Sequence, residues 1–182
     1  MLSQAATLVI LVLQSSPAEK IVAGAKAQLS APAFYTQRYY SIPYPNGDVP
    51  KNRGACTDVV IRALRAAGKD LQKLIHEDMK RGIRYPRQGS RPDPNIDHRR
   101  VPNQAFFFKR FGKTLPCGLD SPTWKPGDFV YWKLGGKVDH IGVLVDHVGP
   151  SGHYMVVHNL SKTMMEDVLG EWDIVGHFRY PK

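Results

Sequence analysis

The sequence has few cysteines, few acidic residues and no long apolar run. Two cysteines in 182 residues are too few for a disulfide framework or for a zinc site built on cysteine pairs. Asp and Glu total 16 against 25 Lys and Arg, which gives a formal net charge of +9. The basic residues are scattered and form no recognisable nucleic-acid module, so we predict no nucleic-acid partner. The charge fits a solvated basic surface or attraction to an anionic polymer.

The N-terminal segment suggests export. The apolar run at residues 5–13 is too short to span a bilayer, and small residues at 16–18 suit signal-peptide cleavage. No Lys or Arg precedes Lys20, so the basic start of a signal peptide is missing. We interpret residues 1–18 as a partial signal peptide and predict no stable membrane span. Residues 19–182 are enough for one full hydrophobic core and form a single predicted domain.

A cysteine begins an amphipathic helix predicted over residues 56–67. Apolar residues recur there at helical spacing, and Gly68 marks the C-terminal stop. Cys56 therefore lies in the first turn, where unpaired N–H groups and the helix dipole favour the reactive thiolate. Free cysteines are also common as small buried apolar residues, so position alone leaves both interpretations open.

Turn signals divide the second half of the chain into strands, two of which carry a histidine. His140 begins one strand and His158 ends the next, and a Gly-Pro-Ser-Gly turn between them predicts an antiparallel hairpin that brings the two side chains close. The fold class is α+β, with helices packed on an antiparallel sheet. The predicted strands are 129–132, 140–146, 154–158 and 176–180, and the further predicted helices are 19–29, 69–81 and 103–111.

The order Cys, His, His is typical of a thiol nucleophile with a base and an orienting partner. His140 would remove the proton of Cys56, and His158 would fix the tautomer and orientation of His140. Asn159 is the alternative third member, since a strand shifted by one residue exchanges the faces of neighbouring side chains.

The same side chains also suggest a different class of protein. Cys56, His140 and His158 together with a carboxylate such as Asp58 or Asp139 offer atoms that bind zinc. No close Cys/His pair of the kind that anchors structural zinc is present. We therefore predict neither a metal nor another cofactor, and a zinc-binding protein remains an alternative.

A long loop rich in Pro, Gly and Arg separates the second and third of these helices. It contains Asp97, Arg99 and Arg100, which we predict to bind substrate, since an arginine fork can grip a carboxylate. An Arg–Asp pair within the loop is the alternative. Asp58 either adds a charged wall to the cleft or acts only as a favourable carboxylate at the helix start. Cys117 lies in a loop outside the motifs and is predicted to be unpaired.

These motifs resemble the NlpC-type cell-wall peptidases, a bacterial branch of the papain-like cysteine peptidases. The resemblance covers roughly residues 47–158 and rests on a Cys at a helix start, Lys-Pro-Gly-Asp-Phe-Val at 125–130, His-Ile-Gly-Val at 140–143 and Val-Val-His at 156–158. It implies a papain-like fold, with Cys56 as nucleophile, His140 as general base and His158 as orienting residue. The family's usual Asp-Cys-Ser-Gly-Phe is here Ala-Cys-Thr-Asp-Val, a departure that affects substrate contacts.

The chain also resembles a narrower bacterial group, domain of unknown function 1287, over nearly all of its mature length. This resemblance rests on runs such as Tyr-Pro-Asn-Gly-Asp-Val-Pro at 44–50, Pro-Asp-Pro-Asn-Ile-Asp-His-Arg-Arg-Val-Pro-Asn at 92–103 and Gly-His-Phe-Arg-Tyr at 176–180.

The resemblances imply a periplasmic or secreted bacterial cysteine peptidase or amidase. We expect it to be a monomer that cleaves an amide bond in peptidoglycan stem peptides, or in another acidic amide substrate, through a thioester. The open alternatives are a non-catalytic cell-wall-binding module and an acyltransferase or amidase acting on another substrate.

Overall fold

The computed structural model describes residues 14–182, so most of the interpreted signal segment lies outside the described part. The described part contains four α-helices and one short 3-10 helix: α1 (Pro17–Ala27), α2 (Cys56–Ala66), α3 (Leu71–Lys80), the 3-10 helix Asp97–Arg99 and α4 (Val101–Phe111). Its strands are β1 (Phe34–Tyr35), β2 (Arg53–Gly54), β3 (Lys113–Thr114), β4 (Phe129–Leu134), β5 (Val138–Val148), β6 (Tyr154–Asn159), β7 (Thr163–Glu166) and β8 (Asp173–Arg179).

Helix α1 begins within residues 16–18, which the sequence indicated as suitable for signal-peptide cleavage. Ser16 accepts a hydrogen bond from the Glu19 N–H, and the Glu19 carboxylate accepts one from the Ser16 N–H, which forms a reciprocal cap. Pro17 fills the first helical position, where a missing N–H costs nothing. Residues 17 and 18, assigned from sequence to the signal segment, therefore lie in this helix.

Six strands form one antiparallel sheet in the order β3-β8-β4-β5-β6-β7, and β1 and β2 form a separate parallel pair. The predicted α+β class with helices on an antiparallel sheet is confirmed. The four predicted strands all occur, whereas β7 and the two-residue strands β1, β2 and β3 were not predicted. No helix within residues 14–182 has the length and apolar character needed to cross a membrane.

The two faces of the sheet bury different side chains, and this alternation positions the candidate site. On β5, Ile141, Val143 and Val145 share a core with the helices, whereas Leu144 belongs to a second cluster on the opposite face. Trp132 of β4 lies in that second cluster and pairs across the strands with His140. Helix α2 thus packs on one face, while the side chain of His140 lies on the Trp132 face.

Candidate active site

Cys56 is the first residue of α2, as the sequence predicted, and it lines a cleft of about 440 Å³. Only 5% of the residue is exposed. Its sulfur lies against the backbone N–H of Ile141, the residue after His140 on β5. The thiol therefore contacts the sheet backbone one residue away from the first histidine of the motif.

The protonation state of Cys56 differs from the sequence-based expectation of a thiolate. Burial raises the pKa of the Cys56 thiol to about 12, and the neighbouring Asp58 carboxylate raises it too. The N–H groups of Ile141, Thr57 and Cys56 itself act in the opposite direction but do not offset burial. At neutral pH the resting residue is a protonated thiol.

His140 and His158 are brought together as the hairpin predicted. Nε2 of His140 lies 3.0 Å from Nδ1 of His158, a hydrogen-bonding distance, and the residues are 2% and 1% exposed. Burial, followed by the neighbouring His158, lowers the pKa of His140 to about 3. Burial also lowers the pKa of His158. Both imidazoles are therefore neutral at rest, and within residues 14–182 neither is hydrogen-bonded to the Cys56 sulfur.

Two tryptophans enclose the histidine pair. Trp132 stacks on His140 with ring centroids 5.6 Å apart and planes 18° apart. The ring of Trp172 stands edge-on to both histidines, at 5.7 Å from His140 and 6.0 Å from His158. This apolar enclosure explains why the two imidazoles disfavour the charged form.

Glu166 of β7 is the acidic residue beside the pair. One of its carboxylate oxygens lies 2.9 Å from Nε2 of His158, and 37% of the Glu166 side chain is exposed. In the described part of the chain Nε2 has no aligned hydrogen-bond partner, so the contact is a close approach of a carboxylate to a neutral imidazole rather than an aligned hydrogen bond. The charge of Glu166 raises the pKa of His158 against the larger effect of burial.

Asn159, the alternative third member, faces the other side of β6. Its side-chain amide donates to the carbonyl of Ala33 at 2.9 Å and to that of Gly54 at 3.3 Å. These bonds tie the strand to the β1 and β2 region. His158, not Asn159, is the residue that contacts His140.

Asp58 and Arg99 form a buried ion pair behind the thiol. The Arg99 Nε and Nη2 donate to the two Asp58 oxygens at 2.8 Å and 3.0 Å, and both side chains are 2% exposed. Asp58 also accepts the Ala55 N–H at 2.6 Å, which caps the start of α2. Asp58 thus caps the helix and its carboxylate occupies the fork of Arg99, which itself lines the Cys56 cleft, and substrate binding by either residue stays a prediction.

The other two predicted substrate-binding residues differ in exposure. Asp97 is buried and its carboxylate accepts the backbone N–H of Asp93 at 2.7 Å, which locks the loop, and the residue lines a cleft beside that of Cys56. Arg100 is exposed and lines both the Cys56 cleft and an adjoining cleft of about 640 Å³. Of the four predicted substrate-binding residues, only Arg100 has its charged group free at the mouth of the cleft.

The described residues contain no cluster of side chains that suits the zinc-binding alternative. Within residues 14–182 no group of three or more His, Cys, Asp or Glu side chains is arranged to hold a metal ion. Asp139, one of the proposed ligands, lines the cleft and is held by the Tyr131 hydroxyl and by Lys133. Cys117 is a half-buried free thiol whose sulfur lies 3.8 Å from the Leu115 carbonyl oxygen.

Comparison with known proteins identifies the family. A family model described as "Domain of unknown function (DUF1287)" matches residues 22–180. The chain belongs to the DUF1287 family. It is also similar to "Uncharacterized protein YijF" of Escherichia coli (strain K12), with 45% identity over 172 residues, 92% of this chain and 84% of that protein. The narrower of the two sequence resemblances is thereby confirmed.

Several runs that carry the DUF1287 resemblance stabilise the structure around the site. Asp48 accepts hydrogen bonds from Arg62 at 3.0 Å and from Arg65 at 3.1 Å, which fixes the 44–50 loop on α2. At the other end of the chain, His177 and Arg179 both contact the buried Asp128 carboxylate. These charged residues have structural partners and lie outside the Cys56 cleft.

Several residues beside the histidine pair and in the Cys56 cleft of this DUF1287 protein were not predicted from the sequence. Glu166 lies on a strand that was not predicted, and Trp172 lies in a loop of no regular pattern. The only signal for β7 is that three residues separate Asn159 from Thr163 and the two methionines after it, a spacing that is consistent with a second short hairpin. Arg87, from a loop, and Tyr35, from the two-residue strand β1, also line the cleft, and the sequence offered no pattern for either.

Proposed function

We propose that this DUF1287 protein is an exported cysteine hydrolase that cleaves an amide bond in peptidoglycan stem peptides. In this proposal Cys56 is the nucleophile, His140 the general base and His158 its orienting partner, and the fold is of the NlpC-type papain-like kind. One observation carries the proposal: a helix-start thiol lines a cleft and contacts the backbone beside a buried histidine pair.

The reaction begins with a proton transfer from the Cys56 thiol to His140 Nδ1. The thiolate attacks the amide carbonyl carbon, and the C–N bond breaks as His140 returns the proton to the departing amine. Water then hydrolyses the Cys56 thioester with His140 again acting as base. The Cys56 N–H, at the helix start and without an intrahelical partner, would donate to the oxyanion.

The resting state implies that substrate binding precedes activation. A thiol with a pKa of about 12 and an imidazole with a pKa of about 3 do not form an ion pair at neutral pH. Because α2 and the side chain of His140 lie on opposite faces of β5, the proposed proton transfer requires the start of β5 to rearrange when substrate binds. Catalytic hydrogen bonds that are long or absent without substrate often form in the reacting complex.

The charge of the cleft supports an acidic substrate. Arg87 and Arg100 line it and are both exposed, and the whole chain carries a net charge of +9. Guanidinium groups bind carboxylates bidentately, and stem peptides carry carboxylates. The basic surface would also attract the anionic wall as a whole.

Digestion of purified peptidoglycan tests the proposal. The full chain, Cys56→Ala and the control Cys117→Ala are incubated with the wall, and released fragments are analysed by mass spectrometry. We expect the full chain and Cys117→Ala to release the same peptide fragments and Cys56→Ala to release none. Equal release by Cys56→Ala would rule out a thiol mechanism.

A non-catalytic wall-binding module is the second candidate, favoured by the buried, protonated state of Cys56. Fragment release separates the two functions, since only the hydrolase releases peptides in a Cys56-dependent way. Binding of the full chain to the wall without any fragment release would establish the module.

A further inference from the structure

We propose that Glu166 is a positioning residue for the His140–His158 pair: its carboxylate keeps the His158 proton on Nε2 and thereby leaves His140 Nδ1 free to act as base. The proposal rests on the function proposed above and extends it to a carboxylate. Glu166 does not touch the substrate in this account. It acts through His158.

The placement of Glu166 follows from the register of strands β6 and β7. Val156 of β6 pairs with Glu166 of β7, and His158 pairs with Met164. Residues 156 and 158 share one face of β6 because side chains alternate along a strand, so Glu166 reaches His158 diagonally on that face. The resulting distance of 2.9 Å joins Glu166 Oε2 and His158 Nε2.

The tautomer of each ring follows from the contacts of its neighbour. A carboxylate at 2.9 Å favours a proton on His158 Nε2, since a bare ring nitrogen there would set a lone pair against a negative charge. Neutral His158 then has an unprotonated Nδ1, which must accept the hydrogen bond across the 3.0 Å contact. His140 consequently donates from Nε2, and its Nδ1 keeps the lone pair.

The opposite arrangement would inactivate the base. If His158 carried its proton on Nδ1, it would donate to His140 Nε2, and neutral His140 would carry its own proton on Nδ1. That nitrogen could then accept nothing from the Cys56 thiol. Loss of the correct histidine tautomer is costly in other hydrolases, where replacing the orienting carboxylate by an amide slows catalysis by about 10⁴.

The position of Glu166 also suits the step in which His140 becomes a charged imidazolium. When His140 takes the thiol proton on Nδ1, its Nε2–H still donates to His158, so no bond in the relay has to reverse. The negative charge of Glu166 then lies one ring away from the imidazolium. Among the described residues, His140 and Glu166 are the titratable groups that contact His158, and its other ring neighbours are Trp132 and Trp172.

Nitrogen-15 NMR of the histidine rings in the full chain tests the arrangement directly. At pH 7.5 we expect both His140 and His158 to be neutral with the proton on Nε2. In Glu166→Leu we expect His158 to lose this preference, and in Glu166→Asp, which keeps the carboxylate, to retain it. The exposed Glu171→Leu is the matched control and should leave both rings unchanged. A Nδ1-protonated His158 in the unchanged chain, or an unaltered tautomer in Glu166→Leu, would overturn the proposal.

Fragment release supplies the functional readout. We expect the rate of Cys56-dependent release from peptidoglycan at pH 7.5 to be at least about tenfold lower in Glu166→Leu than in the unchanged chain, with rescue in Glu166→Asp. A release rate that is equal in Glu166→Leu and Glu171→Leu would contradict the proposal.

The two readouts separate this inference from the proposed hydrolase. If the tautomers respond to Glu166 as expected but the protein releases nothing from peptidoglycan, the relay stands and the substrate is wrong. If fragment release depends on Cys56 but persists unchanged in Glu166→Leu with unchanged tautomers, the hydrolase stands and the role of Glu166 is refuted.

Discussion

At Cys56 the start of a helix and the burial of the side chain act in opposite directions on the thiol. The first turn of α2 favours a thiolate through its free N–H groups, but the residue is only 5% exposed and its pKa rises to about 12. Desolvation of the Cys56 sulfur outweighs the effect of the helix dipole, which is roughly 0.3–1 kcal/mol near a helix terminus. In the proposed mechanism, the reactivity of this thiol therefore depends on His140.

The buried histidines predict a loss of stability in mild acid. Because the folded pKa of His140 lies near 3, below its ordinary value of 6.5, the unfolded chain binds more protons between these values. The contribution of His140 to the free energy of unfolding is fully present above about pH 6.5 and is lost as the pH drops toward 3. At pH 5 roughly 2 kcal/mol is lost from this group alone. Urea denaturation at pH 7.5 and pH 5 measures the difference.

Two asparagine variants assign this loss of stability to the buried site. His140→Asn should show a smaller loss between pH 7.5 and pH 5 than the unchanged chain. The matched control is His147→Asn, since His147 lies exposed on the same strand, and it should lose as much as the unchanged chain. An identical pH dependence in both variants would contradict a neutral buried His140.

The Asp58–Arg99 pair predicts a large effect from a single substitution. Arg99→Met leaves the Asp58 carboxylate buried without its partner, which should lower the free energy of unfolding by about 3–5 kcal/mol. Lys26→Met breaks the exposed pair with Asp146 and should cost less than about 1 kcal/mol. Urea denaturation compares the two, and similar values for both variants would show that the buried pair does not hold the start of α2.

At the scale of elements, Gly142 determines how closely β5 and β6 pack beside the histidine pair. A Cβ at this position would lie 2.4 Å from Val156 Cγ1 and 3.3 Å from His158 Cβ. We expect Gly142→Ala to lower the free energy of unfolding by about 1–3 kcal/mol through overpacking.

The control for this prediction is Gly118→Ala, since nothing lies within 4 Å of a Cβ added there. It should leave the free energy of unfolding nearly unchanged in the same urea titration. A Gly142→Ala variant as stable as Gly118→Ala would show that the strands can separate without penalty.

The elements that sequence could predict are those with a strong period or a clear cap. The helix starting at Cys56 and the strands carrying His140 and His158 were predictable because apolar residues recur at helical or alternating spacing. Strand β7 was not, since four residues with one buried side chain give no alternation to detect. Its absence from the prediction is also why Glu166 was missed.

Neither the burial of a charged side chain nor its ion-pair partner could be predicted from local sequence patterns. Arg99 and Arg100 are neighbours in one loop, yet one is buried against Asp58 and the other is exposed at the cleft. That difference depends on how the loop packs on α2, 41 residues away along the chain. The proximity of the two histidines was predictable because it follows from one hairpin, whereas the thiol's pKa depends on the whole packed interface.

At the scale of the whole molecule, the net charge of +9 predicts salt-sensitive binding to an anionic wall. In a Cys56→Ala background, which removes the proposed nucleophile, co-sedimentation with peptidoglycan should weaken as NaCl increases. Adding Arg87→Gln and Arg100→Gln, which neutralise the mouth of the cleft, should weaken it further at low salt.

A variant with the same net charge tests whether the cleft matters. Arg81→Gln with Lys109→Gln neutralises two exposed residues that do not line the Cys56 cleft. We expect this variant to bind better than the cleft variant at low salt, where charges are least screened. Equal binding would mean that attraction depends on total charge and not on the cleft.

Trapping of the covalent intermediate tests the central claim most directly. The full chain and Cys56→Ala are mixed with purified peptidoglycan, quenched in acid within one turnover and analysed by tandem mass spectrometry. The account predicts an acyl group from the stem peptide on Cys56 Sγ of the unchanged chain, at a mass that identifies the cleaved bond. Fragment release without any acyl-Cys56, equally rapid in Cys56→Ala, would contradict it.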